Sequence, residues 1–217
     1  ASTEEIESSP FISYRVNEVR KFRLKSKKAA TRKKAEIAHL FDENRQQKSG
    51  SYLLVPCHSS QNRDYIPVGF YPHDVIPTNA NQMIPNASLY EFAIITSEMH
   101  NDWMRTVAGR LKSDYRYSAS LVYNTFPWPD ASESQKKQIS AFGEEILLTR
   151  ADYPDKTLAQ LYDPDKMPEP LRQAHRTLDL AVEKLYRAKP FEDSAERVAF
   201  LFKRYEQLIN TKEGNDV

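Results

Sequence analysis

The sequence predicts an α+β fold: a module of short, mixed or antiparallel strands with helices, followed by a C-terminal, bundle-like α-helical domain. Three observations predict it. Between residues 51 and 86, β-rich runs such as SYLLVPC and DYIPVGF are cut by prolines at 56, 67, 72, 77 and 85, which forbid long helices and suit edge strands. Residues 112–123 alternate between charged or polar and aromatic or apolar side chains, the period of a strand. After residue 130, apolar residues recur at spacings of three and four, the period of an amphipathic helix. These patterns divide the chain into a basic helical segment over 1–44, an α+β module over 45–129 and a helical domain over 130–217.

The elements follow in order. Residues 1–10 are Ser/Glu-rich and predict loose chain. Ile12, Val16, Val19 and Phe22 share one face of a helix over 11–28. Residues 31–41 read as a short helix edged by Ile37, Leu40 and Phe41, and 42–50 as a loop. Strands are predicted over 51–57 and 64–70, joined by the polar loop HSSQNR, and again over 87–96. Ser97 is placed to cap a helix that Gly109 would end, and a strand over 112–123 follows. Helices over 133–150, 170–188 and 192–210 carry single apolar stripes: Ile139, Phe142, Ile146 and Leu147; Leu171, Ala174, Leu178, Ala181 and Leu185; Ala195, Val198, Phe202, Tyr205 and Ile209.

Composition limits the chemistry. The 217 residues are 28% charged and 40% hydrophobic with a net charge of +1, an ordinary mixture able to bury a core. The charge is unevenly spread. Ten Lys or Arg stand between Arg15 and Lys34 against one acid, Glu18, which leaves the rest of the chain net acidic by about eight. A single cysteine, Cys57, fits a reducing, cytoplasmic setting. No apolar run approaches the roughly 18 residues that span a bilayer, so no membrane partner is expected. The sequence begins ASTEEIESSP without Met and reads as part of a longer protein. Its five glycines are isolated, whereas nucleotide-type cofactor sites cluster them. The histidines lack paired ligand spacing, and Cys57-His58 would point to opposite faces of a strand. No catalytic residue, cofactor site or metal site is expected within the chain.

What the chain does offer is contact chemistry. On a strand, Lys112, Asp114, Arg116, Ser118 and Ser120 share one face, and Ser113, Tyr115, Tyr117, Ala119 and Leu121 the other. The first face sets a donor, an acceptor and a donor at steps of about 6–7 Å. A Lys ammonium can donate to guanine O6 or N7, and an Asp carboxylate can accept from cytosine N4. The same alternation also suits a solvated strand face with cross-strand ion pairs. Arg20, Arg23, Lys27, Lys28, Arg32 and Lys33 of the basic segment could neutralise phosphates, or simply face solvent. Ser59, Ser60, Gln61, Asn62 and Arg63 of the polar loop suit phosphate or base contacts, or simply form a polar turn, and Ser59, Ser60 and Arg63, with Arg110, Tyr117 and Ser118 around the charged strand, are the further candidate DNA contacts.

Four blocks carry a family resemblance: YLLVPCHSSQNRDYIPVGF, then IPNASLYEFAIITSEMHNDWMRTVAGRLKSDYRYSASLVYNTFPWP, then TLAQLYDPDKMPEPLRQAHRTLDLAVEKLY, then ERVAFLFKRYEQL. In this order, over most of residues 45–210, they resemble the C-terminal part of the large bacterial DNA adenine methyltransferases of the fused restriction–modification (Type IIL) kind. The blocks through FPWP resemble the target recognition domain and the later ones the C-terminal helical domain. A looser likeness to type I specificity subunits, with their recognition domains joined by helices, points the same way.

The resemblance implies a parent enzyme that moves a methyl group from S-adenosylmethionine to adenine N6 in a defined double-stranded site. A nuclease domain, and with it Mg, would be present only in some members. It implies that the residues flanking the serine of RLKSDYRYS, here Lys112 and Asp114, help choose a base pair, with G·C expected. It implies that Arg116 holds a phosphate or a base. Many relatives carry Glu-Arg after the two serines of the polar loop, where this chain has Gln61-Asn62, so no family role is carried there. This chain would hold and check the duplex while the methyltransferase domain of the same protein, outside these residues, performs the transfer. By itself it should not methylate DNA. A stand-alone nucleic-acid-binding module and a helical protein-interaction scaffold remain the alternatives.

Overall fold

A computed structural model describes residues 3–41 and 46–213. The chain forms two compact units, residues 1–46 and 47–217.

In the first unit, residues expected to be loose form α1 (Thr3–Ser8). It is followed by α2 (Pro10–Leu24), with Ser9 as N-cap and Pro10 in the first turn, where its missing N–H is harmless. The helix expected over 31–41 is shorter and earlier, α3 (Ala29–Lys33), and turns follow it. The α2 stripe is helical as expected, but Phe22 is 76% exposed and Ile12 and Val19 are also exposed. The buried positions are Ile6, Ala35, Ala38 and, against its charge, Arg23. Part of the expected loop, residues 42–45, lies outside the described residues.

The second unit holds two small antiparallel sheets. In the first, β1 (Ser51–Pro56) lies between β3 (Gly69–Pro72) and β4 (Asn81–Pro85). Pro56, Pro72 and Pro85 fall at the strand ends, where a missing donor is tolerated. In the second, β6 (Asp114–Arg116) lies between β2 (His58–Ser59) and β5 (Gly109–Leu111). Cys57 joins the sheets: its N–H donates to Ala80 O at 2.8 Å, and its carbonyl accepts from Tyr117 N at 2.8 Å. One length of chain therefore serves both ladders.

Two strand expectations are corrected. Residues 87–96 form a helix, α4 (Leu89–Thr96), opened by a capping box between Ser88 and Glu91. Its residues from Phe92 to Thr96 are all buried, so no polar face betrays its period. The strand expected over 112–123 is instead a hairpin of β5 and β6, followed by a π-helical turn, Ala119–Tyr123. Helix α5 (Glu98–Val107) ends one residue earlier than Gly109 would have ended it, and Gly109 begins β5 instead.

The three long helices appear close to their expected places: α6 (Glu133–Ala151), α8 (Glu169–Tyr186) and α9 (Ser194–Glu213), with a short α7 (Leu158–Leu161) between the first two. α4 packs on α6 at Gly143, where a Cβ would lie 3.0 Å from Ala93 Cβ and 3.1 Å from the Leu89 carbonyl. Trp103 of α5, 1% exposed, packs against Phe202 and Tyr205 of α9. The helices after residue 130 thus share one core with the sheets.

Polar struts lock this core. Arg150 donates to Val68 O at 2.8 Å and to Tyr162 Oη at 2.8 Å, and Tyr162 Oη lies 2.8 Å from His175 Nε2. Arg197 of α9 reaches Glu183 (2.7 Å), Asp102 (3.0 Å) and Glu98 (3.0 Å), joining α9 to α8 and α5. Asp179 of α8 accepts from Tyr65 Oη and from Glu98 N, both at 2.7 Å. It therefore caps α5 in place of Ser97, whose hydroxyl donates to Ile94 O.

Burial pushes the Asp179 carboxyl up to about 7, against the lowering effect of its two hydrogen bonds. The folded protein therefore holds this proton more tightly than the unfolded chain. The stability it confers is complete below about pH 4 and is lost as pH rises towards 7. Buried His100 and His175 have lowered pKa values and act oppositely, favouring the fold as pH rises towards their unfolded value. Comparison with Asp179→Asn isolates the carboxyl. Chemical denaturation across pH 4 to 7 is expected to show the unsubstituted protein losing stability relative to the variant as pH rises. A constant difference across that window would refute this assignment.

Candidate nucleic-acid interface

The hairpin of β5 and β6 projects from a dry base. Tyr115 and Tyr117 alternate inwards and are buried, at 8% and 3% exposure. Tyr117 Oη lies 3.0 Å from His100 Nε2, and His100 packs edge-on to Phe126 at 4.6 Å. Burial lowers the His100 pKa to about 3, so this anchor is neutral at physiological pH. With the tyrosines held inside, strand alternation turns Asp114 and Arg116 outwards, and both are exposed.

Partner strands extend this outer face. Leu111 stands opposite Asp114, and Gly109 and His58 flank Arg116 from either side. Paired residues of neighbouring strands share a face. The surface therefore presents Leu111, which is 56% exposed, Asp114, Arg116 and exposed His58. His58 and Leu111 were missed by sequence reasoning. A two-residue strand has no readable period, and an apolar residue beside Lys112 looks like core.

Lys112 corrects the expectation of a continuous charged strand face. It is the first of two turn residues and has φ +57°, a left-handed conformation that non-glycine residues rarely adopt. It thus stands at the tip, with Ser113 between it and Asp114. Lys112 and Arg116 form no ion pair among the described residues, whereas Arg105, Arg172, Arg187, Arg197 and Arg204 are all neutralised by carboxylates. Asp114 Oδ1 accepts the Gln61 N–H at 3.2 Å, which ties the polar loop to the hairpin.

Other expected contacts take different places. Ser59 is 5% exposed and Tyr117 3% exposed, so both face the interior instead of a ligand. Arg110 shares the opposite sheet face with Tyr115. Its guanidinium lies 3.9 Å from that ring and donates to Ser113 O at 3.0 Å, so it braces the turn. Ser118 caps the π-helical turn by accepting from Leu121 N at 3.3 Å. Ser60 accepts from Asn62 N and Arg63 N, shaping the loop. Arg63 is half-buried and forms no ion pair among the described residues.

In the basic segment, two of the six expected phosphate ligands are committed internally. Arg23 donates to the carbonyls of Lys34, Ile37 and Leu40 at 2.7–3.0 Å. Arg32 donates to Ser26 O and Lys27 O, both at 2.9 Å. Lys27, Lys28 and Lys33 are exposed. Arg20 is held weakly, with contacts of 3.4 and 3.5 Å to Ala35 O and Asn17 Oδ1. A charge count cannot separate braces from free cations.

Among the described residues, no group of three His, Cys, Asp or Glu could hold a metal ion, and no helix is long and apolar enough to cross a membrane. The arrangement can instead meet a polyanion carrying base edges: unpaired cations for phosphates or purines, and a fixed carboxylate for an amino donor.

Residues 1–130 match the family model described as the MmeI target recognition domain, and residues 131–212 match that of the MmeI C-terminal domain. DNA methyltransferase A of Bacillus subtilis (strain 168) is 42% identical over 208 residues, covering 96% of this chain and 23% of that protein. The solved Type IIL restriction–modification enzyme MmeI, in complex with DNA, matches with a TM-score of 0.92 and 45% identity, over 97% of this chain and 28% of that one. This chain thus spans about a quarter of either relative's length.

Proposed function

From a chain that belongs to the MmeI family of target recognition and C-terminal domains, we propose a sequence-reading role within a longer DNA adenine-N6 methyltransferase of a restriction–modification system. The observation that carries this reading is the outer face of the second sheet. Asp114 is fixed there by a backbone hydrogen bond, with unpaired Lys112 and Arg116 on either side of it in the chain. Lys112 would donate to guanine and Asp114 would accept from the paired cytosine, while Arg116 and Arg63 would hold phosphate or a further base edge.

Adenine N6 is out of reach of methyl transfer inside a duplex, so the parent enzyme must extrude that base. The chain's own contribution is to hold the flanking duplex in register while this happens. S-adenosylmethionine would supply the methyl group when bound elsewhere in the protein. Among the described glycines, Gly143 is packed against Ala93 and Gly69 faces Leu158.

Affinity would come largely from phosphate neutralisation, which is blind to sequence and falls with salt. Replacing Arg20, Lys27, Lys28 and Lys33 by Gln is expected to weaken binding to all duplexes about equally. It should also flatten the plot of log K against log salt by roughly 0.9 for each phosphate no longer neutralised. Binding titrations from low to moderate salt measure both. A loss confined to one sequence, or an unchanged slope, would remove the basic segment from the interface.

A further inference from the structure

Resting on that reading, we infer that the exposed Gln61–Asn62 turn is a second base-reading element, suited to the edge of an A·T pair beside the one taken by Lys112 and Asp114, and that Asp114 sets its position. Pairing of His58 with Arg116 and of Ser59 with Tyr115 carries the chain after β2 to the Asp114 end of β6. There the Gln61 N–H meets Asp114 Oδ1 at 3.2 Å. The turn is closed by Asn62 N to Ser60 Oγ at 3.3 Å and by Arg63 N to Ser60 O at 3.2 Å. Its exit is pinned at Asp64, whose carbonyl accepts from Arg105 and whose carboxylate holds Arg172 at 2.9 Å.

The backbone is therefore held from Ser60 through Asp64. By contrast, the Gln61 and Asn62 side chains are exposed and form no hydrogen bond among the described residues. A carboxamide offers a donor and an acceptor in one plane, the complement of adenine N6 and N7 in the major groove. Mounting such groups on a fixed turn reduces the ordering cost of binding. Arg63, next in the chain and half-buried, adds a guanidinium suited to a neighbouring phosphate.

The test profiles methylation of a randomised duplex library by the full protein that carries this chain. It compares the unsubstituted protein, the Gln61→Ala/Asn62→Ala double variant, and Asp114→Ala. The double variant is expected to lose selection at one A·T position by about ten- to hundredfold, while the pair read by Lys112 and Asp114 stays selected. Asp114→Ala is expected to relax both positions. An unchanged profile in the double variant, or an equal decline at every site, overturns the inference and leaves the recognition role standing. Failure of the unsubstituted protein to select any site overturns that role itself. A second arm needs no variant: 7-deazaadenine at the assigned position, lacking the N7 acceptor, should weaken binding by the unsubstituted protein. Undiminished binding to that duplex counts against the turn as a reader.

Discussion

Exchanging the two tip charges, Lys112→Glu with Asp114→Arg, is expected to change which base pair the full enzyme selects, and not merely to slow it. Glutamate would accept from cytosine N4 and arginine would donate to guanine O6 and N7, so the preferred pair should invert from G·C to C·G. A good contact of this kind discriminates by about 1–3 kcal/mol, a preference of roughly five- to 150-fold. The exchange also removes the acceptor of the Gln61 N–H. A charge-assisted hydrogen bond contributes about 1.5–3 kcal/mol, so a lower overall rate should accompany the altered preference. Sequencing of modified bases in DNA exposed to each enzyme reads both effects. A variant that modifies the original set of sites, at whatever rate, would show that these residues do not choose the pair.

The largest loss of stability is expected from Arg197→Met. Arg197 is 12% exposed and meets Glu183 and Asp102, themselves 5% and 1% exposed, together with the more open Glu98. Removing one member of a buried ion pair strands its partners in a poorly solvated place, at about 3–5 kcal/mol. That is a large part of the roughly 5–15 kcal/mol by which domains are stable. Arg105 still neutralises Asp102 in the variant, which leaves Glu183 as the main uncompensated charge. The denaturant midpoint should fall with little change in slope, followed through the fluorescence of buried Trp103. A midpoint within experimental error of the unsubstituted protein would show the cluster to be redundant. Because α5 leads into β5 after a single intervening residue, loosening this cluster should also blunt site selection.

The long helices were legible because each buries one side only. The spacing of Leu171 and Leu178, both fully buried, locates α8 without help from the structure. α4 was not legible by period because every residue from Phe92 to Thr96 is buried, and a short apolar run fits a strand or a helix equally. Its S-x-x-E opening at Ser88 and Glu91 was the available signal. The hairpin was hidden for another reason: neither Gly nor Asn marks the turn at Lys112 and Ser113, and the charge alternation runs unbroken through it. The family resemblance nominated Lys112 and Asp114 as reading residues, and alternation correctly turned Tyr115 and Tyr117 inwards. No spacing rule could show that Arg23, Arg32 and Arg110 serve carbonyls and a ring, since guanidinium groups that brace and those that bind look alike in one dimension.

In the proposed role of Lys112 as a base reader, its left-handed backbone sets conformational comfort against discrimination at a single position. Glycine would occupy that corner more comfortably than any side chain, by about 1–2 kcal/mol, yet would bring no ammonium to the groove. Laboratory evolution that rewards only heat tolerance would therefore drift towards glycine here and erode fidelity unnoticed. Libraries meant to redirect this protein to new sites should be screened for accuracy before robustness.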